Sequence, residues 1–316
     1  MGFYEFKKWF FDVSDGAEDY LILFVSQIKL GKRYFTSFQM HGTKQEPNKD
    51  QQTSFACLKT THKKNTDRQK MVFEEGVVGF NDGDGQVSLD FKDYRINLDY
   101  RGASLKWPDR SPLYSVQKTS LDWIPLILSG KVTGTIQANG PVMIYQGSSG
   151  YCDEVVTDIL PWKVPVSRLY WGRLIDNRVS LTYSILQARG SVQKVSRLFM
   201  DVDGNQFIID NLSLEILKRE HSQRMNLNYP ERYIIRCQQG KVSVTLEISG
   251  HQEMVLNDFM DYRKVYGRLA TGLLRWISRN PKGIKFRASV KVNIRTAEKE
   301  YLIENARMID EYVEFR

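Results

Sequence analysis

NDGDGQVSLDFKDYRINLDY, residues 81–100, decides the fold class. Val87, Leu89 and Phe91 alternate with polar residues, and after a one-residue slip Tyr94, Ile96, Leu98 and Tyr100 alternate again. A repeat of two puts every second side chain on one face of a strand, whereas a helix repeats its apolar residues every three to four. The slip reads as a β-bulge. Asn81 to Gly85 supplies the Asp-Gly chemistry of a hairpin turn just before the first run.

Outward from this stretch, strand patterns mark residues 20–28, 33–41, 54–60, 132–137, 142–146, 179–186, 207–209, 233–236 and 242–248. Short strands at regular spacing with turn residues between them predict an all-β chain of antiparallel barrels or sandwiches. One segment departs from this. Phe259, Tyr262, Val265, Tyr266, Leu269, Leu273, Trp276 and Ile277 recur at helical spacing, with Asp258 as an N-cap and Asn280-Pro281 as a stop. A helix over 258–280 in the C-terminal half is the expectation, and Gly267 and Gly272 keep a strand pair open as the alternative.

Sixteen Phe, sixteen Tyr and six Trp against nine Pro suit strands with large inward side chains. At 41% hydrophobic and 26% charged, the chain has enough to bury, which excludes wholesale disorder, collagen and coiled-coil rods. The net charge of +8 is scattered along the chain. The lysines of residues 42–70 flank a strand without the interleaved aromatics that base stacking needs, so an exposed edge is read there and no nucleic acid is an expected partner.

Cys57, Cys152 and Cys237 are odd in number and far apart, which gives no disulfide framework and fits a reducing compartment. His41, His62, His221 and His251 lack metal-ligand spacing, so no metal or other cofactor is expected. Residues 1–13 lack the apolar stretch of a signal peptide, and Phe6 stands where a myristoylation signal needs Ser or Thr. Apolar runs such as 21–25 fall far short of the roughly 20 residues of a membrane helix. A cytoplasmic protein with no transmembrane segment is the expectation.

The stretch VTGTIQANGPVMIYQGSSGYCDEV from Val132 lies ungapped over VKVNIRTAEKEYLIENARMIDEYV from Val290, with Val132/Val290, Ile136/Ile294 and Val155/Val313 identical. Both read as a hairpin followed by an acidic strand, and both close a half of the chain. Two β domains of similar design follow, residues 1–164 and 165–316, with Ile159 to Pro165 as the crossover.

Three stretches carry a resemblance: KWFFDVSDG (Lys8 to Gly16), DWIPLILSGKVTGTIQANG with GSSGYCDE (Asp122 to Glu154), and LYWGRL (Leu169 to Leu174). In that order they resemble the carotenoid 1,2-hydratase (hydroxyneurosporene synthase) family of two-domain lipocalin-like proteins, which also includes fungal Diels–Alderases of decalin biosynthesis. That family's signatures read approximately WWYFDA, a KVTGTI-like strand leading into GYHDHNWG, and YWGRA. Trp9, Phe10, Phe11 and Asp12 match the first, Gly150, Tyr151 and Asp153 the second, and Tyr170, Trp171, Gly172 and Arg173 the third. Lys8 replaces the leading Trp, Cys152 and Glu154 replace two histidines, and Val155-Val156-Thr157 replace Asn-Trp-Gly.

The resemblance implies two lipocalin-like barrels and a cofactor-independent cyclase, pericyclase-like, or a hydratase, acting on an apolar polyene, isoprenoid or polyketide in a β-barrel pocket. Protonating an alkene needs a neutral carboxylic acid, which burial or a second carboxylate provides. Asp153 and Glu154 are the candidates, with Tyr151 beside them. Adjacent strand residues point to opposite faces, so only one of the two enters a barrel unless the strand is bulged. The bland alternative pairs one carboxylate with Arg173 or Arg168 in the core and leaves the other solvated.

Trp9, Phe11, Tyr170, Trp171 and Arg173 are the candidate ligand contacts, and plain core packing is the competing reading for the aromatics. Trp9, Tyr151, Asp153, Tyr170, Trp171 and Arg173 are expected to meet in one cluster, with Arg173 paired to Asp153 or Glu154. The departures at Cys152 and Glu154 weaken a histidine-dependent hydration more than a shape-driven cycloaddition. They also motivate the alternative of a non-catalytic carrier of a hydrophobic ligand.

Overall fold

The computed structural model describes residues 3–15, 19–46, 49–61, 70–73, 75–81, 83–91, 94–103, 105, 111–138, 142–160, 163–176, 178–189, 194–258 and 281–315. Every regular element among the described residues is a β-strand. The chain divides into two compact units, Met1–Ile159 and Leu160–Arg316.

In the first unit, β1 (Tyr4–Asp15), β2 (Asp19–Leu30), β3 (Arg33–Glu46) and β4 (Lys49–Thr61) form one arm of an antiparallel sheet. The other arm is β5 (Lys70–Phe73), β6 (Gly76–Asn81), β7 (Asp84–Phe91), β8 (Tyr94–Gly102), β10 (Thr119–Ala138) and β11 (Val142–Thr157), with the short β9 (Tyr114–Val116) on β10. The first strand, β1, pairs with the last, β11, and the path ends at β4 and β5.

The second unit repeats the plan. It holds β12 (Val166–Ile175), β13 (Val179–Ala188), β14 (Lys194–Val202) and β15 (Asn205–Asp210) on one arm. On the other are β16 (Ser213–Ser222), β17 (Leu227–Gln239), β18 (Val242–Asp258), β19 (Lys282–Arg295) and β20 (Glu300–Glu314). Again the first strand, β12, joins the last, β20, and the path ends between the fourth and fifth strands. The 158-residue echo lays β10 and β11 on β19 and β20, the closing hairpin of each unit.

The hairpin expected at Asn81–Gly85 joins β6 to β7, with Gly83 at φ 88 supplying the turn. The slip after Phe91 is a second hairpin rather than a bulge: Phe91 pairs with Tyr94 and Asp90 with Arg95. Two in-phase strands and one kinked strand share the same alternation, so the pattern alone does not separate them. Residues 42–46 and 49–53 continue β3 and β4, and β4 is an edge strand. Of the helix expected over 258–280, residues 259–280 lie outside the described residues. Asp258, its intended N-cap, is the last residue of β18 and pairs with Lys282.

Alternation decides what each sheet buries. Trp9, Phe11 and Val13 of β1 join Leu21, Leu23 and Val25 of β2, Val87 and Leu89 of β7, and Ile96, Leu98 and Tyr100 of β8 in one core. Each such side chain taken out of water stabilises the unit by about 1.5–3 kcal/mol. Two glycines of the signatures are spacers in these cores. A Cβ on Gly150 would lie 2.2 Å from Val132 Cγ2, and one on Gly172 2.6 Å from the Tyr183 hydroxyl.

Candidate functional site

β11 sorts its residues by face. Cys152 points into the core of the first unit with Trp9 and Phe11, and Tyr151 and Asp153 point to the opposite face. Asp153 is 4% exposed. Its Oδ2 accepts hydrogen bonds from Trp123 Nε1 at 3.0 Å and from the Tyr151 hydroxyl at 2.9 Å. In the β1–β11 ladder Phe10 pairs with Asp153 and Asp12 with Tyr151. The fully buried Asp12 is therefore a diagonal same-face neighbour of Asp153, a spacing of roughly 7–8 Å.

Aromatic rings surround this pair. Phe10 packs against Phe24 at 5.4 Å and against Tyr151 at 6.0 Å, and Phe24 against the buried His41 at 6.2 Å. Lys8 Nζ lies 4.3 Å from the Phe24 ring centroid. Carboxyl groups beside a phenol can pass a proton, and π faces stabilise a developing cation, so this face has the parts for acid-catalysed chemistry on an alkene.

Glu154 is held differently. Its Oε2 accepts from Trp9 Nε1 at 2.7 Å and pairs with Lys7 Nζ at 2.8 Å, and that ammonium sits 4.3 Å from the Trp9 ring centroid. Phe11 is stacked on Phe80 at 5.3 Å and 11°, as core. Burial first, then the charges of Asp153, Glu154 and Asp12, push the Cys152 thiol well above its ordinary range, which makes it an inert thiol rather than a nucleophile.

The third signature lies in the second unit and is split by the same rule. Tyr170 points into that unit's core, against Tyr312 and Tyr233. The buried Trp171 pairs with Glu311 in the ladder, and the buried Arg173 with Ile309. Lys285, 1% exposed, forms an ion pair with Glu311 at 2.5 Å and lies 4.6 Å from the Trp171 ring centroid.

The echo makes these positions equivalent. Tyr151 and Asp153 map onto Ile309 and Glu311, so Arg173 holds the ladder place of Asp12 and Trp171 that of Phe10. Where the first unit carries two acids, the second carries a Lys–Glu pair and an arginine.

The second unit also buries a polar network that the sequence reading missed. The Tyr183 and Tyr233 hydroxyls donate to Asp310 Oδ1 at 2.9 and 2.6 Å, and His251 Nε2 donates to Asp310 Oδ2 at 2.7 Å. His251 Nδ1 faces the Glu231 carbonyl at 2.6 Å. A carbonyl only accepts, and a carboxylate already serving two phenols accepts again, so both ring nitrogens carry protons. Burial pulls the imidazole pKa down, but hydrogen bonding to Asp310, its charge, and the Glu231 carbonyl together raise it. The three residues that bond Asp310 lie 59 to 127 positions from it, and no local spacing signals the network.

Of the expected cluster, the structure brings Tyr151 and Asp153 into direct contact, and Trp9 and Glu154 into another, both within the first unit. Tyr170, Trp171 and Arg173 belong to the second. Asp12 was legible as part of its signature but not as a same-face partner of Asp153, and Trp123 and His41 emerge only from the strand pairing.

No protein-family model and no curated protein matches the chain. Solved structures do. An AttH-like protein of Nitrosomonas europaea aligns with a TM-score of 0.57 at 11% identity, covering 100% of this chain and 93% of its own. CghA in complex with Sch210972 aligns with a TM-score of 0.61 at 12% identity, covering 98% and 88%. Kievitone hydratase of Nectria haematococca aligns with a TM-score of 0.54 at 11% identity, covering 99% and 89%. At this identity the likeness establishes the fold: two lipocalin-like antiparallel β domains in one chain, as the sequence resemblance implies.

Proposed function

We propose that the protein is a cofactor-independent hydratase or cyclase that acts on an apolar polyene of isoprenoid or polyketide type, with Asp153 as the proton-transfer group. The observation that carries this reading is the buried Asp153, held by Trp123 and Tyr151 beside the buried Asp12 and bordered by Phe10 and Phe24. Packing alone does not call for two buried carboxyls on one face, because an apolar side chain fills such a position at lower cost. The likeness to kievitone hydratase supports the same class of reaction. In this reading Asp153 protonates the alkene, and the rings stabilise the cation. The carboxylate then recovers a proton from the attacking water or, after ring closure, from a carbon next to the new cationic centre, which becomes an alkene.

The test is conversion of an apolar polyene by the purified chain without added metal or nucleotide. Asp153→Asn should slow turnover by about 10²–10⁴-fold with the fold intact. A rate within a few-fold of the parent would remove Asp153 from the chemistry. A second reading, a non-catalytic carrier, draws on Glu154, which stands where the family keeps a histidine and is taken up by Lys7 and Trp9. Tight binding with the polyene recovered unchanged would favour it.

A further inference from the structure

The second unit holds another cluster that the proposed chemistry does not use. Tyr170 of β12 and Tyr312 of β20 are ladder partners with ring centroids 5.3 Å apart, and both are 1% exposed. Neither phenolic oxygen has a hydrogen-bond partner among the described residues. Arg168 precedes Tyr170 by two positions on the same strand. Arg219 comes from β16, where the register slips on either side of Lys218.

Burial raises the Tyr170 phenol, and the nearby guanidiniums of Arg168 and Arg219 pull it back without reaching full hydrogen-bond geometry. Tyr312 is pushed up to about 12, chiefly by burial, with the same two arginines opposing. Glu314, the ladder partner of Arg168, also faces Tyr312 and has interactions of its own. Neither arginine forms an ion pair with a carboxylate among the described residues.

The inventory is one of donors. Each phenol has one O–H to give and each guanidinium five N–H groups, and the only acceptors among the four side chains are the two phenolic oxygens, too few for that many donors. Buried donors without acceptors are rare in native proteins and mark the place of a missing partner. We propose that Tyr170, Tyr312, Arg168 and Arg219 form a binding site for an oxyanion, a carboxylate or phosphate group that brings acceptors only. Planar guanidiniums match the oxygens of either group in paired hydrogen bonds, and the phenols complete the shell. Arg219 is exposed, so the anion reaches the phenols from solvent on that side. The site lies wholly in the second unit and does not depend on the role assigned to Asp153.

Calorimetric titration of the full chain with inorganic phosphate and, separately, with acetate tests the proposal, with sodium chloride holding the ionic strength constant. Saturable binding of one of them is expected, and the two arms separate a phosphate ligand from a carboxylate one. Arg219→Gln and Arg168→Gln should each weaken that binding by about tenfold. Tyr312→Phe should weaken it by a few-fold while leaving the anion-free protein at least as stable as the parent, since it removes a donor that lacks an acceptor. No saturation by either anion, or saturation unchanged in both arginine variants, overturns the site. A loss of stability in anion-free Tyr312→Phe overturns it as well, because the hydroxyl then has a partner within the protein.

Discussion

Replacing Gly172 by alanine tests whether the third signature is a packing device. The added Cβ would lie 2.6 Å from the Tyr183 hydroxyl and 2.7 Å from two carbons of its ring. These atoms are the far end of a side chain, but that end is not free to swing. Tyr183 is fully buried, and its hydroxyl is held by Asp310 at 2.9 Å and Tyr233 at 2.8 Å. Relief means moving the ring off its carboxylate or moving β12 off β13.

Overpacking of this kind costs about 1–3 kcal/mol, and losing a hydrogen bond to a charged group about 1.5–3 kcal/mol. Gly172→Ala should therefore destabilise the second unit by about 3–5 kcal/mol. For a unit of this size that lowers Tm by roughly 6–20 °C. Urea unfolding followed by circular dichroism measures it, with Gly172→Ala, Tyr183→Phe and the double variant closing a cycle. Since Tyr183→Phe removes the nearest atom, the double variant should be less destabilised than the sum of the singles by at least about 0.5 kcal/mol. A Gly172→Ala protein within about 0.5 kcal/mol of the parent, or strictly additive effects, would refute the reasoning.

Three further outcomes follow from the same geometry. His251 has a pKa raised by folding, so its stabilising contribution is complete below the unfolded value of about 6.5 and is lost as pH rises through the folded one. The stability gap between the parent and His251→Gln should accordingly shrink with increasing pH, and a gap that widens would reverse the assignment of the imidazolium. Tyr233→Phe removes a hydrogen bond to Asp310 and should cost about 1.5–3 kcal/mol by denaturant unfolding, with a neutral result excluding a charged acceptor. Cys152, buried beside three carboxylates, should stay unmodified by iodoacetamide in the native protein and react fully in denaturant, as peptide mapping by mass spectrometry would reveal.

The alternation at Val87–Phe91 and Tyr94–Tyr100 was enough to fix β7 and β8, because one face of each is core and the other is not. It could not tell a bulge from a turn. Both leave the apolar residues in phase, and only the pairing of Phe91 with Tyr94 separates them. The repeat of the closing hairpin at an offset of 158 was legible because strand length and turn position survive where identities do not.

The candidate site was legible in its motif residues and opaque in its grouping. Trp9, Tyr151 and Asp153 sit in recognisable signatures, and the one-in, one-out rule on β11 foretold that Asp153 and Glu154 would part company. Trp123 reaches Asp153 across 30 residues, and Asp12 stands beside it only because β1 pairs with β11 in one register out of many. Such register is a property of the assembled sheet, which a linear reading does not contain.

Pairing the first strand of each unit with its last has a kinetic consequence. Trp9 cannot find Glu154, 145 residues downstream, nor can β12 find β20, until the whole unit has left the ribosome. Until then β1 has β2 on one side and an open ladder on the other, in the middle of what will become the sheet. Closure over so long a loop places each unit among slowly folding, high-contact-order proteins. A nascent or truncated chain ending before β11 exposes an unpaired central strand that carries Trp9, Phe10 and Phe11, the kind of edge on which β-proteins aggregate. Protection of the β1 amides in pulsed hydrogen exchange should arrive with that of β11, and early protection of β1 would show that the sheet does not wait for its last strand.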